Sequence, residues 1–163
     1  MDDFEKRKLE LMQPLLIEAG ASLYDCQHFE YGIALLLFHL SRVGTEGLDF
    51  AKMSLIMEDK EKHTAGALIK MLKKHVTVSP GIEDALEQAL AARNLLIHRM
   101  LVDNVERLPA AESRAALVKE IRKLRAKVQK ADTLLRPFIM GFSKTLDGVD
   151  ERKFEAEFRQ RLS

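Results

Sequence analysis

A single cysteine, Cys26, excludes a disulfide inside the chain and any cysteine-rich metal site. Turn formers are scarce as well. Eight glycines and four prolines in 163 residues are too few for a many-turned β-sandwich or barrel. Excess charge of one sign is also lacking: 26 Lys+Arg against 25 Asp+Glu leave a formal net charge of +1. The whole-molecule field therefore neither repels nor recruits a polyanion, and any nucleic-acid affinity has to come from local clustering. No apolar run approaches the roughly eighteen residues of a membrane span, and the longest, Ile33 to Phe38, has the length of a buried helix face. The opening Met1-Asp2-Asp3-Phe4-Glu5 is acidic where a signal peptide is basic. No membrane partner and a cytoplasmic location are the expectations.

What is present is a globular composition, 47% hydrophobic and 31% charged, dominated by the helix formers Leu, Ala, Glu, Lys, Arg and Met. Apolar residues recur at helical spacing almost throughout, and no alternation long enough for a strand interrupts them. The pattern predicts a helix from Asp3 to Ala19, a break or bend at Gly20, and a second helix from about Ala21 to Arg42 ended by Gly44. Cys26, Phe29, Ile33, Leu37 and Leu40 give that second helix the strongest apolar stripe. A short helix and a loop are expected between Leu48 and His63. A helix capped by Thr64 follows to His75, and one opened by Ser79-Pro80 runs to about Asp103. A long helix starts at Pro109 and reaches Leu135, where Pro137 kinks or ends it. A last helix is expected from Glu151 to Leu162, capped by Asp150. The expected fold is all-α, a four- or five-helix up-and-down bundle with a C-terminal helical appendage. It is read as one domain over residues 1–163 with its core at about 21–135.

Chemistry concentrates in Arg93-Asn94-Leu95-Leu96-Ile97-His98. On a helix, Ile82, Leu86, Leu90, Arg93, Ile97 and Met100 fall within one face of roughly 80°, so Arg93 is a cation inside an apolar stripe. A guanidinium there needs a counter-charge. Glu30, between Phe29 and Ile33 in the second helix's stripe, is the expected partner, and Gln27 one turn earlier is placed to extend the network. Such a pair alone is explained by helix register. His98 adds a titratable group on the edge of the same face, four residues after Asn94, whose amide is expected to orient the imidazole. Anion clamp, orienter and acid-base group together suit phosphate chemistry without a metal.

Arg-Asn followed by three apolar residues and His, in the penultimate long helix of a small all-α chain, resembles the Arg-x4-6-His signature of the HEPN superfamily (higher eukaryotes and prokaryotes nucleotide-binding domain). The likeness extends from about Ala21 to Leu135, and Cys26-Gln27-His28-Phe29-Glu30 is similar to a segment of small bacterial proteins in this group. The resemblance implies a protein acting on RNA or a nucleotide, in many members a metal-independent endoribonuclease working as a homodimer. Two copies of His98 would then serve as base and acid, and two Arg93 side chains would clamp the phosphate. It also implies, as the alternative, a non-catalytic nucleotide- or partner-binding module. One departure is plain. Toxin members commonly carry an aromatic two residues after the histidine, where this chain has Met100, so the tyrosine hydroxyl that some nucleotidyltransferase antitoxins modify is missing. The antitoxin or regulator, if the chain belongs to a toxin-antitoxin pair, is not named by any motif.

From Arg114 to Arg136 the long helix carries eight basic residues, among them Lys119, Arg122, Lys123, Arg125, Lys127 and Lys130. Arg122 and Lys123, with Arg99 beside the motif, are the candidate contacts to an RNA backbone; the competing reading is a solvated face. No aromatics interleave with them to stack bases. His28, His39, His63 and His75 lack metal-ligand spacing, no Glu-x-x-His is present, and no glycine-rich phosphate loop occurs. No metal and no cofactor are expected.

Overall fold

Capping and backbone chemistry decide where the helices start and stop. The computed structural model describes residues 2–150 together with 152 and 160, and among these it contains helices and no strand. They are α1 (Asp3–Arg42), α2 (Phe50–Met57), α3 (Ala65–His75), α4 (Pro80–His98) and α5 (Ala111–Asp147), with a 3-10 turn at Val102–Arg107 between α4 and α5. The fold is all-α, as the apolar periodicity predicts. The helix expected from Glu151 to Leu162 lies outside the described residues, Arg152 and Gln160 excepted.

Several ends follow local rules. Gly44, at φ +80°, closes α1: the Thr45 N–H reaches back to the Leu40 carbonyl at 3.1 Å and the Gly44 N–H to Ser41 at 3.2 Å, the paired bonds of a glycine C-cap. The Thr64 hydroxyl accepts from the Ala67 N–H at 3.2 Å and caps α3. Ser79 stands at the start of α4 with Pro80 in the first turn, but its side chain makes no capping bond.

Three expectations are corrected. Gly20 does not break the chain, because α1 runs unbroken from Asp3 to Arg42; Leu15, Glu18, Ser22 and Cys26, buried on both sides of it, outweigh a helix cost of about 1 kcal/mol for one glycine. Pro137 likewise sits inside α5, which continues to Asp147. α4, conversely, stops at His98 rather than Asp103. Arg99 leaves the helical region at φ −125°, and the Asn104 side chain takes the Met100 carbonyl at 2.8 Å.

The chain divides into two compact units, one of Met1–Glu30 with Val78–Asp132 and the other of Tyr31–Thr77 with Thr133–Ser163. In the first, His28 meets Asp132 and Glu18 meets Arg122, each pair 104 residues apart. A constant offset between partners means that these stretches of α1 and α5 run in the same direction. α4 runs against α1, since Arg93 meets Glu30 while Met100, just past the end of α4, packs with Leu15, earlier in α1. The face α4 buries carries Leu86 and the small residues Ala85, Ala89 and Ala92, which let the helix axes approach.

In the second unit the core holds Ile33, Leu37, Met53, Leu68, Ile69 and Leu72. His39 is buried there, with Nε2 3.0 Å from the Ser143 hydroxyl and its ring stacked on Phe142. Its Nδ1 has no partner among the described residues, and burial lowers its basicity so that the ring stays neutral. Gly47, at φ +79°, is required where it stands, because a Cβ there would meet His75 Cε1 at 2.7 Å.

Among the described residues the most buried carboxylate is Glu18, 6% exposed. It accepts from Arg122 Nε at 2.8 Å and Arg125 Nη1 at 3.0 Å. The Arg122 hydrogen bond, opposed by burial and helped by Arg125, holds its carboxyl below the usual value. A depressed carboxyl stabilises the fold above its unfolded value and loses that stabilisation as pH falls through the folded one. Glu18→Gln is expected to cost about 1–2 kcal/mol at pH 7, with the gap closing below about pH 4. Urea unfolding at pH 7 and at pH 3.5 checks this, and a pH-independent gap contradicts it.

Candidate functional site

Arg93 sits in the C-terminal half of α4 at the edge of the alanine-lined buried face, and Glu30 occupies the facing position on α1. Arg93 Nε donates to Glu30 Oε1 at 2.5 Å, with side chains 17% and 24% exposed. Arg93 Nη1 donates to Asn94 Oδ1 at 3.2 Å and approaches His98 Nε2 at 2.9 Å. A guanidinium has only hydrogens to offer, so Nε2 accepts and the imidazole carries its proton on Nδ1. Arg93, Asn94, His98 and Glu30 thus form one cluster, with Asn94 and His98 exposed at the outer end of α4. No protein family, curated protein or solved structure matches this chain. The chemistry of the cluster rests on its own side chains.

One expected role changes hands. The Asn94 amide does not orient the imidazole; the guanidinium contacts both, because Arg93 bridges the turn that separates them. Gln27 is exposed and makes no hydrogen bond to Glu30 or Arg93, so the network ends at Glu30. Cys26 lies one turn before Glu30 and is fully buried. Burial pushes its thiol up to about 11, with Arg93 opposing the shift, and a thiol held protonated is a poor nucleophile.

The candidate RNA-backbone residues divide. Arg99 and Lys123 line an open cavity of about 470 Å³ with Leu95, Met100, Leu124 and Lys127. Arg99 Nε is held by Asp103 Oδ2 at 2.8 Å. Arg122 faces elsewhere and is taken by Glu18. Lys127 joins Lys123 because residues four apart on a helix share a face, a signal already legible in the spacing. Leu95 on α4 and Arg99 at its C-cap are chain neighbours of Asn94 and His98, so the cavity lies beside the cluster. Among the described residues no group of three His, Cys, Asp or Glu side chains is placed to hold a metal ion, and no helix is long and apolar enough to cross a membrane.

Loss of one charge strands the other. Glu30→Met and Arg93→Met are each expected to cost about 1–2 kcal/mol, less than the 3–5 of a fully buried pair because both groups keep some solvent contact. The double variant is expected to lose less than the sum of the two. Denaturant unfolding of all four proteins measures the coupling, and simple additivity contradicts a working pair.

Proposed function

We propose that this chain acts on RNA as a HEPN-like, metal-independent endoribonuclease in which Arg93 and His98 of two protomers converge on one phosphate. The observation that carries the reading is the 2.9 Å approach of Arg93 Nη1 to the exposed His98 Nε2. Transesterification needs a base to take the 2′-OH proton, an acid to protonate the departing 5′-oxygen, and positive charge for the phosphorane between them. His98 of one protomer supplies the base, the partner's His98 the acid, and Arg93 the charge. The 2′-O–P bond forms, the P–O5′ bond breaks, and the proton lost at one oxygen is matched by one gained at the other.

Arg93 has donors to spare. Of five guanidinium N–H groups, Nε serves Glu30 and Nη1 serves Asn94 and His98, which leaves the Nη2 hydrogens for a phosphate oxygen. A phosphate drawing the guanidinium toward itself loosens the bond to His98 and frees the Nε2 lone pair for the 2′-OH proton. The adjoining cavity is lined by Arg99 with its partner Asp103, by Glu120, which Arg107 holds, and by Lys123 and Lys127, the cations it offers the flanking backbone. The proposal puts the protein in the cytoplasm as a homodimer without a bound cofactor, and toxin-antitoxin placement is part of the same reading.

A second reading is a non-catalytic HEPN-like module that binds a nucleotide or a protein partner. It is favoured by the commitment of Arg93 to Glu30, which a register-setting charge shows equally well. The two readings part on cleavage of a generic RNA in EDTA. Wild type is expected to cut it to 2′,3′-cyclic phosphate and 5′-hydroxyl ends, with His98→Ala at least 100-fold slower, the scale of lost acid-base catalysis. Equal cleavage by both proteins, or none by either, removes the enzyme reading.

A further inference from the structure

Gly20 is exposed in the middle of α1, and a Cβ built on it would meet nothing within 4 Å. Alanine would fit and would favour the helix by about 1 kcal/mol, so the glycine answers no constraint inside the chain. Around it α1 leaves an apolar strip uncovered. Ile17 is 62% exposed and Tyr24 66%, and Leu9, Leu16 and Leu23 are about half exposed. Leu9, Leu16 and Leu23 follow one another at heptad spacing, as do Gln13, Gly20 and Gln27, and a heptad row makes a straight seam along a helix. The helix's own core contacts, Leu15, Cys26 and Phe29, lie on its other side.

The strip is mirrored about Gly20. Gln13 and Gln27 stand equally far on either side of it, as do Leu16 and Tyr24, and Ile17 and Leu23. A two-fold axis through the contact of two antiparallel helices brings together residues equally far from the crossing point. Amide then meets amide, apolar meets apolar, and glycine meets glycine at the closest approach. The shapes are complementary too. Leu9, Glu10, Gln13, Leu16 and Ile17 line a shallow depression of about 410 Å³, and the mirrored half carries Tyr24, whose ring stacks on His28 at 6.1 Å. His28 is in turn held by Asp132 at 3.0 Å. A braced knob on one half of the strip thus matches a groove on the other.

We propose that this face of α1 docks a second copy of the chain, antiparallel and centred on Gly20. Gln13 then meets the partner's Gln27, and Leu16 and Ile17 meet the partner's Leu23 and Tyr24. The strip from Leu9 to Gln27 is about 27 Å long and offers on the order of 600 Å² per protomer, toward the lower end of specific interfaces. Its interior carries no charge. The partner's Glu10 arrives at the height of Glu30, whose charge Arg93 already answers. Because a two-fold axis normal to the paired helices preserves each flank, both copies of the motif fall on one side of the dimer. In this pairing the two Arg93–Glu30 pairs stand about 30 Å apart along the helices, so it is an interface separate from the one at which the ribonuclease reading joins two motifs, and it is argued from α1 alone and tested without RNA.

Cysteine cross-linking of the full chain reads the register directly, since Cys26 is buried and silent. Under mild oxidation, Gly20→Cys is expected to link to itself, and Gln13→Cys is expected to link to Gln27→Cys when the two are mixed and not when either is alone. Light scattering is expected to show wild type dimeric at tens of micromolar, an order set by the interface size. Gly20→Ala is expected to weaken the dimer about tenfold while leaving the helix as stable or more so, a combination that a folding defect does not produce. A monomeric wild type at about 100 µM, or Gln13→Cys linking to itself as readily as to Gln27→Cys, overturns the proposal.

Discussion

A guanidinium can be half-buried between helices only if a carboxylate meets it, and the meeting of Arg93 with Glu30 fixes how α4 lies on α1 in the first unit. The alanines at 85, 89 and 92 bring α4 close, but they slide; apolar contact is tolerant of register. The charged pair is not, because a shift of one turn separates a cation and an anion that have both given up most of their water. The bonds from Arg93 to Asn94 and His98 are secondary to this one. With the fork pinned by Glu30 through Nε, its Nη1 edge has a defined position from which to hold the imidazole.

The same pinning gives the cluster its chemical potential. An exposed histidine at a helix end is ordinarily a solvated side chain, and an Arg–Glu pair between helices is ordinarily structural. Together they make a base whose lone pair is held in waiting by a cation that itself has hydrogens left over. Lys123 and Lys127 extend positive charge from α5 along the cavity beside Leu95 and Arg99. The net charge of +1 conceals how the charges are arranged, since Glu30, Glu18 and Asp25 of the first unit are paired with Arg93, Arg122 and Arg125.

Most of the fold was legible because helices announce themselves by period and by their ends. Gly44 and Thr64 did what their side chains dictate locally. Gly20 and Pro137 did not, since both are penalties of a few kcal/mol at most inside helices that tertiary packing holds over 40 and 37 residues. The opposition of Glu30 and Arg93 was readable from two charges out of place on apolar stripes. The finer geometry was not. Large apolar residues alone point the buried face of α4 toward Ile97 and Leu90, while alanines form much of that face. Nothing in the spacing said that α4 would end at His98, which is decided by Asn104 capturing the Met100 carbonyl from beyond the helix.

The direction of one hydrogen bond decides whether the guanidinium holds the imidazole. With ¹⁵N-labelled histidine, long-range proton–nitrogen NMR at neutral pH distinguishes the two ring nitrogens of His98. The structure predicts a bare, accepting Nε2 and a protonated Nδ1, the reverse of what free histidine in water prefers. A His98 ring carrying its proton on Nε2 would mean that Arg93 does not hold it, and the coupling between charge clamp and base would be wrong.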